Sequence, residues 1–348
     1  QLSDQSDRSD VSDNSQLSTF NLNASGTALR FLTAYFAVTE GEWKLTGSER
    51  LCERPIKPLV DALRGMGAEI EYVEKEGFAP LRIVGGKLKG GRVRLDASLS
   101  SQFASALMLI ADSVEGGIEI EYEGDVASKS YISLTQDVIE KYKSGVRYSG
   151  ERDWSSATVW YATMAVLKRG EFRFLGLSLD SVQPDRAIVE VFEKLGVKTT
   201  EVENGAEIES GGNVVERLLL DCKNMPDAVM YIVVAACLLG VDFEISGVET
   251  LRVKESDRIE ALMNEMRKCG YTIQCTMHNA QCTIFAEQKS RPKEVMHNAQ
   301  LSDQSDVSDN FQLSTFYRQR LKDRWFNFQL STCSYHPRWW CHFRPTSL

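Results

Sequence analysis

Four stretches in the middle of the chain share one pattern, in which a helical segment ends on a glycine and a strand-like run follows at once. A glycine at that point accepts the left-handed conformation with which many helices end. Repetition of such a segment indicates a modular α/β fold built from one supersecondary unit. The helical segments and glycines are 58–66 with Gly67, 134–144 with Gly145, 184–195 with Gly196, and 257–269 with Gly270. The strand-like runs are 68–73, 146–148, 197–202 and 271–275.

The last helical segment has the clearest periodicity, because Ile259, Leu262, Met263 and Met266 recur at the spacing of one helix face. Two further segments, 103–111 and 227–240, are apolar nearly all round, which predicts helices buried inside a domain. Burial explains the bodies of these helices completely. It does not explain the polar residues gathered at their N-terminal ends, and these are candidate functional residues.

Length and composition limit the class of protein. The 348 residues predict two domains, and 43% hydrophobic with 26% charged residues is typical of a globular chain. A net charge of −9 argues against binding to nucleic acid or to an anionic membrane surface. No apolar run reaches the roughly 18 residues of a membrane span. The eight cysteines form no CxxC pair, which is typical of a reduced enzyme, so we expect a cytoplasmic protein.

Both ends of the chain differ in composition from its middle. The polar segment 1–20 returns almost unchanged at 300–316, and its QLST core occurs again at 329–332. Such Ser/Asp/Gln-rich repeats carry too little apolar area to offset the entropy of ordering the chain. We therefore treat 1–20 as an atypical low-complexity N-terminus and 291–348 as an atypical tail, with a first α/β domain at 21–150 and a second at 151–290.

Two arginines stand beside predicted helix starts in the first domain. In NASGTALR (23–30), Arg30 lies one turn inside a helix that begins near Gly26 and Thr27. Arg54 directly precedes Pro55, which favours the first turn of a helix. A helix start offers unpaired N–H groups and a positive dipole end, and a guanidinium binds carboxylate or phosphate in bidentate fashion. Routine helix caps with exposed arginines are the alternative interpretation.

Polar residues also precede the apolar helix 103–111. Ser100, Ser101 and Gln102 supply two hydroxyls and an amide there, more than a single helix cap requires. Ser128 and Tyr131 follow in the motif GDVASKSY (124–131). Ser100, Ser101 and Gln102, with the amides of the helix start, predict a neutral site for an anion and for hydroxyl groups.

The second half contributes carboxylates. Asp227 follows Pro226 at the start of the apolar helix 227–240, where a negative charge also favours the helix dipole. The run RVKESDR (252–258) contains Lys254, Glu255 and Arg258 just before the periodic helix, with Ser256 as a candidate N-cap. Two carboxylates on separate helix starts suit two different proton transfers.

The motifs GTALR, ERPI (53–56), SSQ, GDVASKSY and RVKESDR together resemble the 5-enolpyruvylshikimate-3-phosphate (EPSP) synthases, over about residues 21–285. The resemblance implies a two-domain inside-out α/β barrel built from βαβαββ units, with the helices inside each domain. It implies transfer of the enolpyruvyl group of phosphoenolpyruvate to the 5-hydroxyl of shikimate-3-phosphate, without metal or organic cofactor. The small-molecule substrates are then the expected partners, and a monomer is expected.

The resemblance also implies a role for each motif residue. Asp227 and Glu255 would be the catalytic acid/base pair. Phosphoenolpyruvate would be bound by Arg30, Arg54, Arg258 and Gln102. Shikimate-3-phosphate would be bound by Ser100, Ser101, Gln102, Ser128, Tyr131, Asp227 and Lys254.

Two features of the family are missing from this sequence. The segment 1–21 holds no lysine, whereas the family carries a Lys-Ser pair near its N-terminus, and no Asp-His-Arg motif is present. A catalytically impaired scaffold that retains the fold is therefore one alternative. The other is the sister enolpyruvyl transferase that acts on a UDP-sugar, which shares fold and reaction.

Overall fold

The computed structural model describes residues 17–145, 150–278, 281–286 and 343–344. Contacts divide these residues into two compact units. Unit 1 comprises the described part of Gln1–Ser149 together with Val182–Pro184 and Thr250–Arg258. Unit 2 comprises Gly150–Ser181, Asp185–Glu249 and the described part of Ile259–Leu348.

Unit 1 alternates helices and strands. Its strands are β1 (Ser18–Asn21), β2 (Gly41–Thr46), β3 (Glu69–Tyr72), β4 (Leu81–Gly85), β5 (Lys89–Asp96) and β6 (Glu115–Glu123). Its helices are α1 (Gly26–Ala37), α2 (Glu49–Cys52), α3 (Lys57–Gly65), α4 (Gln102–Ile110) and α5 (Lys129–Lys143). A 3₁₀ turn, Ala111–Ser113, follows α4, and another, Glu249–Val253, begins the segment that joins this unit late in the chain.

Unit 2 repeats this alternation. Its helices are α6 (Trp154–Leu167), α7 (Ile188–Glu193), α8 (Val229–Leu239) and α9, which begins at Arg258 and ends at Lys268. Its strands are β7 (Glu171–Leu175), β8 (Leu195–Val202), β9 (Gly205–Val214), β10 (Arg217–Asp221), β11 (Asp242–Ser246), β12 (Ile273–His278), β13 (Gln281–Ala286) and β14 (Phe343–Arg344). The 3₁₀ turns Pro184–Ala187 and Pro226–Ala228 precede α7 and α8.

Two segments have the same βαβαββ topology. In the N-terminal motif, formed by β1 to β4, β1 pairs parallel with β2 while β4 pairs antiparallel with both β2 and β3. In the C-terminal motif, formed by β10 to β13, β10 pairs parallel with β11 while β13 pairs antiparallel with both β11 and β12. Strand orders β1-β2-β4-β3 and β10-β11-β13-β12 are therefore equivalent. The mixed α/β class is confirmed, whereas no closed barrel is found among the described strands, and the inside-out barrel stays a prediction.

A third sheet is a parallel pair, β5 with β6, in which Asp96 lies opposite Glu123 at the carboxyl ends of the strands. Loops that leave the carboxyl ends of neighbouring parallel strands lie at the same edge of a sheet. The loop after β5 leads into α4 and the loop after β6 leads into α5. The hydrogen bond from the Ala127 amide to the Ala97 carbonyl, at 3.1 Å, joins the two loops directly.

The core of unit 1 lies between its helices and sheets. Leu29 of α1, Leu63 of α3 and Phe103 of α4 are at most 1% exposed, and α4 packs against both α1 and α5. In unit 2, no residue of α8 is exposed, and α8 packs against α6. The prediction of two apolar buried helices is confirmed, with the exception of Leu109 in α4, which is half exposed. The burial of these helices fixes where their polar N-terminal ends lie.

Three of the four predicted helix ends are observed, since Gly67, Gly145 and Gly270 follow α3, α5 and α9 with positive φ. The fourth prediction was wrong in detail. Helix α7 ends at Glu193, and Gly196, with φ +86°, lies inside β8 where the register with β9 shifts. At this position the left-handed glycine forms part of a β-bulge and does not end a helix. The predicted run 146–148 lies outside the described residues.

Two further expectations need correction. Part of the excluded segment 1–20 belongs to the fold, because Ser18, Thr19 and Phe20 pair with β2, and Phe20 packs against Phe36 with ring centroids 5.1 Å apart. Ser256 does not directly precede α9, which begins at Arg258, so Asp257 stands at the cap position. No helix among the described residues is long and apolar enough to cross a membrane.

Candidate active site

Helix α1 positions the first of the predicted arginines. Its N-cap is Ser25, whose hydroxyl accepts a hydrogen bond from the Ala28 amide, so the helix begins at Gly26 as expected. Arg30, one turn inside, is only 6% exposed, and its guanidinium carbon lies 5.3 Å from the centroid of the Phe103 ring. Burial, and then the positive charge of Arg54, lower the pKa of Arg30 to about 10. Arg30 therefore remains a buried cation at neutral pH.

Gln102 ties the starts of α1 and α4 together. Its side-chain oxygen accepts from Arg30 Nη1 at 2.7 Å, and its side-chain nitrogen donates to Thr27 Oγ1 at 2.8 Å. Because an arginine can only donate, this pairing fixes the orientation of the Gln102 amide. The side chain of Gln102 thus orients Arg30 within unit 1.

Arg54 lies between α2 and α3. Ser48 caps α2 through a hydrogen bond from the Leu51 amide, and Pro55 follows Arg54 directly. The Arg54 side chain is as buried as that of Arg30, and Nη1 donates to Glu255 Oε1 at 3.2 Å. Burial lowers the pKa of Arg54, while the negative charge of Glu255 acts in the opposite direction. The Nε atoms of Arg30 and Arg54 are both buried without a hydrogen-bond partner among the described residues.

The segment Thr250–Arg258 contributes a carboxylate, that of Glu255, to the charged residues around Arg30 and Arg54. Glu255 accepts from Arg54 on one oxygen and from Arg258 Nη2 on the other, the latter at 2.7 Å. Burial raises the pKa of Glu255, but its own backbone amide, Arg258 and Arg54 outweigh that effect and lower it to about 2. Glu255 is therefore ionised at neutral pH. Glu255 thus joins Arg54 and Arg258, and Arg30 is buried close enough to Arg54 to be affected by its charge.

Gly26 makes room for the two buried guanidinium groups. A Cβ atom at this position would lie 2.6 Å from Arg54 Cζ and 2.8 Å from Arg30 Nη1, and it would overlap Arg54 Nη1 as well. These distances are shorter than real Cβ contacts, so any larger residue must displace an arginine. Both guanidinium groups can therefore occupy their observed positions only because Gly26 has no side chain.

The predicted hydroxyl site lies at the edge formed by the loops after β5 and β6. Ser100 Oγ accepts from the Gln102 amide at 3.3 Å, and Ser101 is buried directly before α4. Ser128 is buried in a left-handed conformation just before α5, and its carbonyl accepts from the Tyr131 amide at 3.0 Å. A non-glycine residue held in that conformation is uncommon and is enriched at functional sites. The structure thus brings both loops together beside Gln102.

Asp227 lies in unit 2, within the 3₁₀ turn Pro226–Ala228 that leads into α8. Its side chain is half-buried, and Pro226 occupies the favoured first-turn position, as predicted. The other predicted site residues all belong to unit 1, including Lys254, whose carbonyl accepts a hydrogen bond from Arg50. No group of three metal-binding side chains occurs among the described residues.

The sequence prediction omitted three residues that shape the cluster. Thr27 was noted only as part of a helix start, but its hydroxyl orients Gln102. The position of Phe103 beneath Arg30 follows from the packing of α1 on α4 and has no local signal. Arg50 lies four residues before Arg54, and this spacing of two basic residues could have singled it out.

Comparisons with known proteins agree on one family. The family model described as EPSP synthase (3-phosphoshikimate 1-carboxyvinyltransferase) matches residues 6–154 and 140–297. A 3-phosphoshikimate 1-carboxyvinyltransferase of Bacteroides fragilis is 40% identical over 268 residues, which is 72% of this chain and 65% of that protein. The enzyme of the same name from Actinobacillus pleuropneumoniae serotype 3 is 37% identical over 276 residues, 73% of this chain and 63% of that protein. The chain therefore spans slightly less than two thirds of the length of these relatives.

A solved structure of EPSP synthase from Acinetobacter baumannii has a similar fold. It covers 78% of this chain and 65% of its own, with a TM-score of 0.54 and 21% sequence identity. At this identity the likeness concerns the fold alone. It agrees with the mixed α/β topology described above.

Proposed function

Because the chain belongs to the EPSP synthase family, we propose that it transfers the enolpyruvyl group of phosphoenolpyruvate to the 5-hydroxyl of shikimate-3-phosphate, releasing phosphate. The observation that carries this proposal is the pair of buried arginines, Arg30 and Arg54, of which Arg30 donates to Gln102 while Arg54 shares Glu255 with Arg258. Phosphoenolpyruvate carries a carboxylate and a phosphate, and both groups match guanidinium donors. We assign Arg30, Arg54, Arg258 and Gln102 to this substrate.

Shikimate-3-phosphate is assigned to the hydroxyl-rich edge of unit 1. Ser100, Ser101, Gln102, Ser128 and Tyr131 line the two adjoining loops there, and Lys254 and Asp227 complete the proposed set. Gln102 is common to both substrates because it bonds Arg30 on α1 and begins α4 beside the serines. Such a shared residue would hold the attacking hydroxyl near C2 of phosphoenolpyruvate, which lowers the entropic part of the barrier.

Asp227 and Glu255 are proposed as the acid/base pair. Asp227 would accept the proton of the 5-hydroxyl as it attacks C2, while C3 gains a proton. The adduct would then lose a proton from C3 as the bond between C2 and the phosphate oxygen breaks, which restores the double bond and releases phosphate. Glu255 is ionised while Arg54 and Arg258 bind it, so it is a poor proton donor without ligand. A substrate carboxylate that takes over these arginines would raise its pKa toward the ordinary range and allow it to carry a proton.

The proposed architecture follows the family. We propose two inside-out α/β barrel domains at 21–150 and 151–290, with the first extended back to Ser18 by β1. The support is the mixed sheets and the two equivalent βαβαββ motifs. A monomer in the cytoplasm, with small-molecule substrates and without nucleic-acid partner or cofactor, completes the proposal.

Release of phosphate from phosphoenolpyruvate and shikimate-3-phosphate tests the function. The chain should be active, and Asp227→Ala and Glu255→Gln should each lower the rate about 10²- to 10⁴-fold. The variant Arg82→Gln, which alters a partly exposed arginine on β4, is the control. Absence of turnover in all variants would favour the impaired scaffold, and turnover only with a UDP-sugar acceptor would favour the sister transferase. Activity that neither substitution changes would reject the acid/base assignment.

A further inference from the structure

Arg50, in the middle of the short helix α2, hydrogen-bonds the backbone of a segment that lies some two hundred residues later in the chain. Its Nε donates to the Lys254 carbonyl at 3.3 Å and its Nη2 to the Arg252 carbonyl at 3.2 Å. Its third nitrogen, Nη1, donates to Glu53 Oε2 at 3.0 Å. All these residues belong to unit 1.

The two carbonyls that Arg50 contacts precede Glu255 in the chain. Arg54, four residues after Arg50, contacts the Glu255 side chain. The segment is therefore attached to α2 and its C-terminal flank at two points, through its backbone by Arg50 and through a side chain by Arg54.

A surface ion pair does not account for this geometry. Arg50 and Glu53 are 38% and 56% exposed, and such i,i+3 pairs are worth little in water. The ion pair uses one of the three nitrogens of Arg50, while the other two point to carbonyl groups. A planar guanidinium can bridge two neighbouring carbonyls in a fixed geometry, which the single nitrogen of a lysine cannot reproduce.

We propose that Arg50 is a positioning residue, which places Lys254 and Glu255 for the reaction by holding the carbonyls of Arg252 and Lys254. The inference rests on the proposed function, in which Lys254 binds shikimate-3-phosphate and Glu255 transfers a proton. Arg50 itself contacts neither substrate in this proposal. It acts on the reaction only through the backbone of the segment.

The first test measures the attachment without any substrate. Amide hydrogen exchange is followed by mass spectrometry in the full chain and in Arg50→Gln, Arg50→Lys and Arg82→Gln. Arg82 is the matched control because its guanidinium also donates side-chain hydrogen bonds, to Glu42 and Glu71, and its side chain is also 38% exposed. Exchange in residues 250–258 should accelerate in both Arg50 variants and stay unchanged in Arg82→Gln. Unaltered exchange in Arg50→Gln would overturn the proposal, whether or not the chain is active.

The second test separates positioning from a loss of folded protein. In both Arg50 variants the KM for shikimate-3-phosphate should rise about fivefold or more, and kcat should fall about tenfold. Partial unfolding alone would lower the active fraction and leave KM unchanged, so an unchanged KM contradicts the proposal. Full activity in Arg50→Lys would show that only the charge is needed, and would also overturn it. If the unaltered chain has no turnover, the proposed function fails, and hydrogen exchange alone decides the role of Arg50.

Discussion

The N-terminal and C-terminal motifs share one topology, but the two carboxylates proposed to transfer protons stand only near the helix starts of the C-terminal motif. In the N-terminal motif, Arg30 and Arg54 lie near the beginnings of α1 and α3. In the C-terminal motif, Asp227 and Glu255 precede α8 and α9. The repeated topology thus sets where helices begin, while the residues at those positions determine the chemistry.

The two sets also differ in burial. Arg30 and Arg54 are each 6% exposed and are held by packing and by hydrogen bonds to Gln102 and Glu255. Asp227 is half-buried, and the Glu255 side chain is 43% exposed. Two arginines of the proposed site are therefore shielded from water, whereas the carboxylates keep contact with it. We expect substitutions of these arginines to have the larger effects on the binding of phosphoenolpyruvate.

Replacement of Arg54 by glutamine should have the largest effect on the binding of phosphoenolpyruvate. The variant removes a buried positive charge and one of the two arginines that bind Glu255. We expect kcat/KM for phosphoenolpyruvate to fall about 10²- to 10³-fold, the usual loss for one preorganised donor. Arg82→Gln should leave kcat/KM unchanged. A loss below about tenfold in Arg54→Gln would mean that the anion binds elsewhere.

Replacement of Gly26 by alanine should have an intermediate effect. The added methyl group would displace the guanidinium of Arg54 or Arg30, because it would lie 2.6 Å from Arg54 Cζ. We expect the Kd of phosphoenolpyruvate, measured by calorimetry, to rise about tenfold, with little change for shikimate-3-phosphate. Gly65→Ala is the matched control, since a Cβ at Gly65 meets no atom within 4 Å. Equal behaviour of the two variants would remove Gly26 from the proposed site.

The sequence predicted the features that depend on local pattern. Apolar runs located α4 and α8, glycines located three helix ends, and the motif residues proved to lie at helix starts. The predicted end of α7 failed because Gly196 has the same positive φ in a β-bulge that it would have after a helix. Conformation alone does not distinguish these two uses of glycine.

The features that the sequence could not supply depend on distant contacts. Nothing local indicates that Gln102 bonds Arg30, 72 residues away, or that Arg50 reaches the carbonyls of Arg252 and Lys254. The first strand was missed for another reason, since Ser18–Asn21 lies within a polar repeat. The strand forms in spite of its polar composition because it pairs with β2 and because Phe20 contacts Phe36 and Trp43.

The smallest predicted effect concerns the pH dependence of stability. The pKa of Glu255 is about 2 in the folded chain against an ordinary value of 4.5, so its ion pairs stabilise the fold fully above pH 4.5. This stabilisation is lost as the pH falls from 4.5 toward 2. Because the side chain is 43% exposed, solvent screening limits the gain to about 1 kcal/mol or less. In urea unfolding, the full chain should therefore be slightly more stable than Glu255→Gln at pH 7, and the difference should shrink toward pH 3.

The exposed Glu69 on β3 provides the control for that measurement. Glu69→Gln should match the unaltered chain in free energy of unfolding at both pH values. A difference between the unaltered chain and Glu255→Gln that persists or grows on acidification would show that Glu255 is not ion-paired with Arg54 and Arg258 in solution. In that case Arg54 and Arg258 would not lower the pKa of Glu255, and the contrast between buried arginines and water-accessible carboxylates would need a different physical basis.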